Sequence, residues 1–203
     1  MYFVTPPSLL RYFTGSKLCW QLRGKEKCLL LTFDDGPNPE TTSRVLDILD
    51  QYKTKSLFFC VGQNLEKHPQ LLREILERGH LIGNHTFHHL NGWMTSTDIY
   101  LQDILLFEKH HRSMFFRPPY GRISWKQMAI ISRTHTILMW SVLSYDFHPK
   151  VNGEKCLSFL QKNTEAGSIV VFHDSPKSIV KVQYALPRFV EWSLEQGYQF
   201  QLP

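Results

Sequence analysis

Leu29-Leu30-Leu31-Thr32-Phe33-Asp34-Asp35-Gly36-Pro37 is the stretch on which the fold turns. An apolar run ends in two adjacent carboxylates and is stopped at once by Gly-Pro. Leu29 to Leu31 read as a strand buried on both faces, the habit of parallel sheets covered by helices. Gly36-Pro37 marks the turn that ends it. Asp34 and Asp35 then lie where a buried strand opens into a loop. Barrel-shaped and open α/β folds build their sites at that edge. Read alone, the pair could equally solvate a strand end, so the decision falls to the rest of the chain.

Outward from this strand, helix and strand patterns alternate. Asn38-Pro39 opens a helix with Val45, Ile48, Leu49 and Tyr52 on one face. Residues 55–61 form a second buried strand, ended by Gly62. Pro69 begins a second helix, with Leu72, Ile75 and Leu76 inward and Gly79 just past its end. Residues 80–83 are a short third strand. Residues 96–110 are a helix carrying Leu101, Ile104, Leu105 and Glu108, and 114–116 a fourth strand. A helix follows over 124–133, then a fifth strand over 136–142, a helix over 156–163 and a sixth strand over 167–172. The last helix has Pro187 in its first turn and Gly197 at its end, and 198–202 make a seventh strand. Seven such units predict a parallel sheet with right-handed crossovers, closing into a barrel more naturally than lying open. Residues 1–26 show no clear periodicity. They are expected as an extension packing on a single domain of 27–203, with a short helix around Leu9, Leu10, Tyr12 and Phe13.

Bulk properties narrow the class. The chain has 203 residues, 42% hydrophobic and 20% charged, which suits one soluble domain with a substantial core. Net charge is +5, but Lys and Arg are scattered without a basic block, so no nucleic-acid partner is implied. The four cysteines, Cys19, Cys28, Cys60 and Cys156, form no C-x-x-C pair and read as reduced. No apolar run approaches the ~18 residues of a membrane span. Met1 to Leu10 lacks a basic leader followed by an apolar core. The expectation is a cytoplasmic protein that could touch a membrane surface peripherally, unless a longer N-terminus exists.

The polar residues fall after the strands. Asp34 and Asp35 follow the first, His85 and His89 the third, Arg117 and Tyr120 the fourth. Asp146 and His148 follow the fifth, His173 and Asp174 the sixth. In a barrel these loops converge on one mouth. His85 and His89, four apart, would face the same way on a helical turn, about 5–6 Å apart at Cβ. With one carboxylate they make a two-His, one-carboxylate cation site. H-x-x-x-H alone is a weak signal. The Asp pair, however, supplies that carboxylate and leaves one spare for general-base work. His88 points elsewhere.

The set Thr32-Phe33-Asp34-Asp35-Gly36-Pro37, His85-Thr86-Phe87-His88-His89, Arg117-Pro118-Pro119-Tyr120-Gly121 and Val171-Phe172-His173-Asp174 resembles the polysaccharide deacetylases. These are the NodB-homology proteins of carbohydrate esterase family 4. The resemblance covers about residues 27–202 and implies a distorted (β/α)7 barrel. It implies that Asp34 is the general base, and that Asp35, His85 and His89 hold a divalent metal, usually zinc. Arg117 would pair with Asp34, and the Tyr120 backbone N–H would help stabilise an oxyanion. His173 would be the general acid, oriented by Asp146. Pro118, Tyr120, Phe147 and Val171 would contact substrate. The fourth motif departs from the family pattern: Leu143-Ser144-Tyr145-Asp146-Phe147 keeps one Asp of two and has Phe for Trp. Val171 stands for the usual Leu.

The implied activity is removal of N-acetyl groups from an N-acetylglucosamine-containing glycan or glycan precursor, with acetate released. An O-acetyl esterase acting on a polysaccharide such as xylan is the alternative. A glycan-binding domain with a vestigial site is a third reading, against which the complete set Asp34, Asp35, His85, His89 and His173 argues.

Overall fold

The computed structural model describes residues 4–6, 14–22, 24 and 27–203. The helix expected around Leu9 to Phe13 lies outside them. Among the described residues, nine strands form one sheet: β1 (Leu18–Cys19), β2 (Cys28–Asp34), β3 (Leu57–Cys60), β4 (Leu81–Asn84), β5 (Phe115–Phe116), β6 (Thr136–Leu138), β7 (Val142–Leu143), β8 (Ile169–His173) and β9 (Gln199–Phe200). Their order is β1-β6-β5-β4-β3-β2-β8-β7, with β9 beside the start of β2, and every pairing between these strands is parallel. The helices are α1 (Thr42–Gln51), α2 (Gly62–Lys67), α3 (Pro69–Glu77), α4 (Thr97–Phe107), α5 (Trp125–Ile131), α6 (Gly153–Asn163) and α7 (Ile179–Glu195). The curled parallel sheet with its helices is a distorted (β/α)7 barrel.

β2 lies inside the sheet between β3 and β8, and the alternation of its side chains explains why it carries the site. Leu29, Leu31 and Phe33 pack outward with Val45, Leu46 and Leu49 of α1 and Phe189 of α7. Leu30 faces the other way, with Leu57, Phe59, Leu138 and Ile169. A strand repeats every two residues, so Leu30, Thr32 and Asp34 share the inner face, and Asp34 emerges where that face reaches the mouth. Each fully buried leucine stabilises the strand by about 1.5–3 kcal/mol.

Several elements differ from the sequence reading. The expected fifth strand is two short ones. β6 lies between β5 and β1, whereas β7 lies on β8. Residues 139–141 cross between them, with the Met139 N–H donating to Cys19 O and the Ser141 N–H to Ile169 O. The chain thus bridges the two ends of the curled sheet, and one straight strand could not satisfy both neighbours. Leu18–Cys19, in the stretch without periodicity, is an edge strand of the same sheet. The first helix starts at Thr42 and not at Asn38, because the Asn38 side chain accepts from the Glu40 N–H and forms a turn. Gly62, expected as a strand end, also opens α2.

Helix faces and ends shift too. In α3, Leu71 and Ile75 are buried, while Leu76 is 39% exposed. In α4 the inward face is Tyr100, Ile104 and Phe107, and Leu105 is 63% exposed. Pro187 sits inside α7, which begins at Ile179. The buried row Val182, Ala185, Leu186, Phe189 and Val190 runs past the proline and offsets its missing hydrogen bond. Among the described residues, none of the four cysteines forms a disulfide. No helix among the described residues is long and apolar enough to cross a membrane.

Candidate active site

The strand ends and loops after β2, β3, β4, β5, β6, β7 and β8 enclose a cleft of about 530 Å³ at the C-terminal ends of the strands. Asp34, Asp35, His85, His89, Pro118, Tyr120, Phe147, Val171 and His173 all line it. Arg117 and Asp146 are buried beneath the lining. Sequence reading missed other wall residues, among them Val61, Asn64, Trp140, Ser175 and Lys177, and Leu143 of the divergent motif also lines the cleft. Side chains such as these carry no chemical signature in a sequence.

Asp34 is buried and accepts a 2.7 Å hydrogen bond at Oδ1 from Arg117 Nη1. The guanidinium also donates to Thr32 Oγ1 at 2.8 Å, to Leu138 O at 3.0 Å and to Met139 O at 2.8 Å. It stacks 4.1 Å over the Phe59 ring. Four of its five N–H groups are engaged, so Arg117 holds Asp34 Oδ1 in one place while Oδ2 makes no bond to it. A buried charge pair of this kind loses about 3–5 kcal/mol if one partner is deleted.

Asp35 follows with φ of 78°, and its left-handed backbone turns its side chain away from that of Asp34. Asp35 Oδ1 lies 3.2 Å from His89 Nε2 and 3.7 Å from His85 Nε2. The three ligand atoms fall within 4.8 Å of one another. His85 Nδ1 is 2.8 Å from the Arg117 carbonyl, which only accepts. Nδ1 therefore carries the proton, and the Nε2 lone pair faces Asp35. His89 Nδ1 meets the Tyr120 hydroxyl at 3.1 Å. Two imidazole nitrogens and a carboxylate, each with an outer-shell partner or a fixed orientation, fit a divalent cation with open positions.

The histidines do not sit on a helical turn. Residues 85–89 are a loop in which Thr86 and His89 have φ of 61° and 57°, yet the two rings lie 5.1 Å apart. Asp103, projecting from α4, fixes this loop by accepting from the Phe87 and His88 N–H groups and from the His88 ring. His88 is thereby taken out of the site. A lone Asp on a helix gives no hint of such a role in the sequence.

Opposite, His173 ends β8. Its Nδ1 is 2.7 Å from Asp146 Oδ1, and its N–H donates to Asp146 Oδ2 at 2.7 Å. The Phe147 ring packs edge-on against it at 4.9 Å. Engagement of Nδ1 leaves Nε2 as the nitrogen free to act in the cleft.

The environments drive these groups apart. Burial disfavours a charged His173, but the Asp146 carboxylate outweighs it and carries the imidazole up to about 9. Burial pushes His85 down to about 4, so it is neutral and able to ligate at pH 7. Burial would raise Asp35, but the hydrogen bond with His89 and the surrounding imidazoles hold it well below the usual carboxylate range. Behind the loop, burial pushes Asp174 up to about 8 against the Thr42 hydrogen bond.

The chain matches the Polysaccharide deacetylase family over residues 21–136. It is 34% identical over 190 residues to a peptidoglycan-N-acetylglucosamine deacetylase of Bacillus cereus, covering 89% of this chain and 88% of the relative. It is 30% identical to the Bacillus subtilis peptidoglycan-N-acetylmuramic acid deacetylase PdaA, covering 87% of this chain and 70% of the relative. A crystal structure of a peptidoglycan N-acetylglucosamine deacetylase bound to 4-naphthalen-1-yl-N-oxidanyl-benzamide superposes with a TM-score of 0.87 at 29% identity, covering 97% of this chain and 94% of that one. The chain belongs to the polysaccharide deacetylase family and is a hydrolase that deacetylates glycans.

Proposed function

We propose that this protein hydrolyses the N-acetyl group of an N-acetylglucosamine-containing glycan, releasing acetate, with a divalent metal held by Asp35, His85 and His89. The observation that carries the reading is the separation of roles across one cleft. Asp34 stands beside the Asp35-His85-His89 cluster, and His173 stands opposite with its charge supported by Asp146.

An amide has a weakly electrophilic carbonyl and a poor leaving group. A bound zinc-like cation supplies Lewis-acid polarisation and eases ionisation of water. The chain's residues do the rest. Asp34, held at Oδ1 by Arg117, takes the proton of the attacking water at Oδ2. The positive φ of Tyr120, 60°, sets the backbone at the cleft edge, where its N–H can meet the developing oxyanion. His173 Nε2 gives its proton to the departing nitrogen. A histidine raised to about 9 arrives protonated at neutral pH, as an acid must. Val171, Leu143 and Phe147 supply apolar wall, which suits an acetyl methyl and excludes water. The peptidoglycan deacetylases among the relatives support a cell-wall glycan as substrate.

Acetate release across chitooligosaccharides, peptidoglycan fragments and acetyl-xylan, with Asp34→Asn as the inactive control, tests the assignment. Release from the N-acetylated glycans is expected. Release from acetyl-xylan alone would make the enzyme an O-acetyl esterase.

A further inference from the structure

Around Tyr120 at the cleft, the 91–95 loop and the start of α5 present large apolar side chains to solvent. Trp93 and Trp125 are 67% and 64% exposed, and Met94 and Tyr120 are exposed as well. Solvated tryptophans on mobile loops would need no account. Trp93, however, is fixed. Its indole Nε1 donates to Ile123 O at 3.1 Å, and its N–H donates to Asn91 Oδ1 at 3.1 Å. The Arg122 guanidinium stands over its ring at 5.3 Å.

The loops beneath are welded together. Gln127, wholly buried, donates from Nε2 to Gly92 O and Thr95 O, and its side-chain oxygen accepts from the Ser124 N–H. Gly92 leaves no room for a side chain, since a Cβ there would lie 2.5 Å from Arg122 O. The two loops thus form one rigid piece that holds an indole out in water.

This piece is continuous with the site. His89 contacts the Tyr120 hydroxyl, Arg122 lies two residues beyond Tyr120, and Arg122 covers Trp93. Trp93 is four residues from His89, a span of at most about 14 Å. An aromatic face held without rotamer freedom, beside a cation rich in hydrogen-bond donors, suits a pyranose ring. With Arg122 over one face of the ring, the apolar C–H face of the sugar covers the indole on the face that Arg122 leaves open. The guanidinium offers donors to hydroxyls at the ring's edge.

We propose that Trp93 and Arg122, with Tyr120 as the link to the cleft, form a second sugar-binding position for a unit neighbouring the one that is deacetylated. This rests on the glycan-deacetylase reading and extends it: the substrate is an oligomer or polymer, and the platform selects for chain length. A second copy of the chain could also cover this patch, but the patch joins the catalytic cleft through Tyr120, which lines it, and that favours the glycan.

The test compares wild type, Trp93→Ala and Trp93→Tyr on tetra-N-acetylchitotetraose and N-acetylglucosamine. Steady-state kinetics is read alongside calorimetric binding of the tetramer. Trp93→Ala should lower the tetramer-to-monomer ratio of kcat/KM roughly tenfold, through KM, and weaken tetramer binding to match. Trp93→Tyr should recover most of both. Equal tetramer binding by wild type and Trp93→Ala overturns the platform, as does failure of wild type to bind the tetramer at all. Tetramer binding that depends on Trp93 but brings no acetate release would spare the platform and sink the activity. A wild-type dimer that Trp93→Ala dissociates, with tetramer binding unchanged, would assign the patch to self-association instead.

Discussion

Asp34 and Asp35 are chemically identical and adjacent, and the structure separates them by backbone and neighbour. Asp34 ends the inner face of β2 and meets a guanidinium whose other hydrogen bonds are all spent on backbone carbonyls and Thr32. Asp35, one residue on, turns through a positive φ into the two imidazoles. His173 shows the same dependence on surroundings. Its acid role requires Asp146, so Asp146→Asn should move the alkaline limb of kcat/KM from near 9 down towards the ordinary imidazole value of 6.5. The sign follows from the acid having to be protonated: lowering its pKa removes activity at high pH and leaves the acidic side. A pH-rate profile of both proteins measures this, and an unmoved alkaline limb would remove His173 from the acid role. The sequence discloses which residues cluster, because their types recur after each strand. It does not disclose the loop-fixing role of Asp103, nor that Asn64 and Lys177 line the cleft, since these come only from where the fold delivers them.

At the scale of elements, the strand ends hold the chemistry and their close contacts hold the strand ends. A Cβ on Gly36 would lie 2.0 Å from Asp174 Oδ2, and that carboxyl is tied to α1 by the Thr42 hydroxyl. The loop bearing Asp35 therefore packs directly on the loop bearing His173, with no space for a methyl. Gly36→Ala should displace Asp35 and weaken zinc binding by at least tenfold, at a stability cost of about 1–3 kcal/mol. Metal titration and thermal unfolding of the variant measure both, and zinc affinity equal to wild type would show that the loop yields without disturbing the ligand. β2, β3, β4 and β8 are legible in the sequence because runs such as Leu29–Leu31 are apolar throughout. The break between β6 and β7 is not, since Thr136 to Val142 reads as one apolar segment. Its division is imposed by the need to reach β5 and β8 at once. β1 and α2 are two and six residues long and leave too short a pattern to read. Pro187 misled the helix start because local propensity there yields to a buried face that runs past it.

At the scale of the whole molecule, a parallel barrel with helices outside gathers groups from seven strand ends, far apart in sequence, into one cleft. The general base and the acid end β2 and β8, the metal ligands come from the loops after β2 and β4, and Asp146 comes from the loop after β7. No one of these loops makes a site alone. The barrel's closure by residues 139–141 brings Asp146 beside His173, so the irregularity least legible in the sequence is also the one that completes the acid. Acetate release from N-acetylated chitooligosaccharides by protein stripped with chelator, then reconstituted with one equivalent of zinc, tests the central claim most directly. The account predicts that release falls to background on stripping and returns on adding zinc. Full activity in stripped protein, confirmed metal-free by elemental analysis, would contradict it.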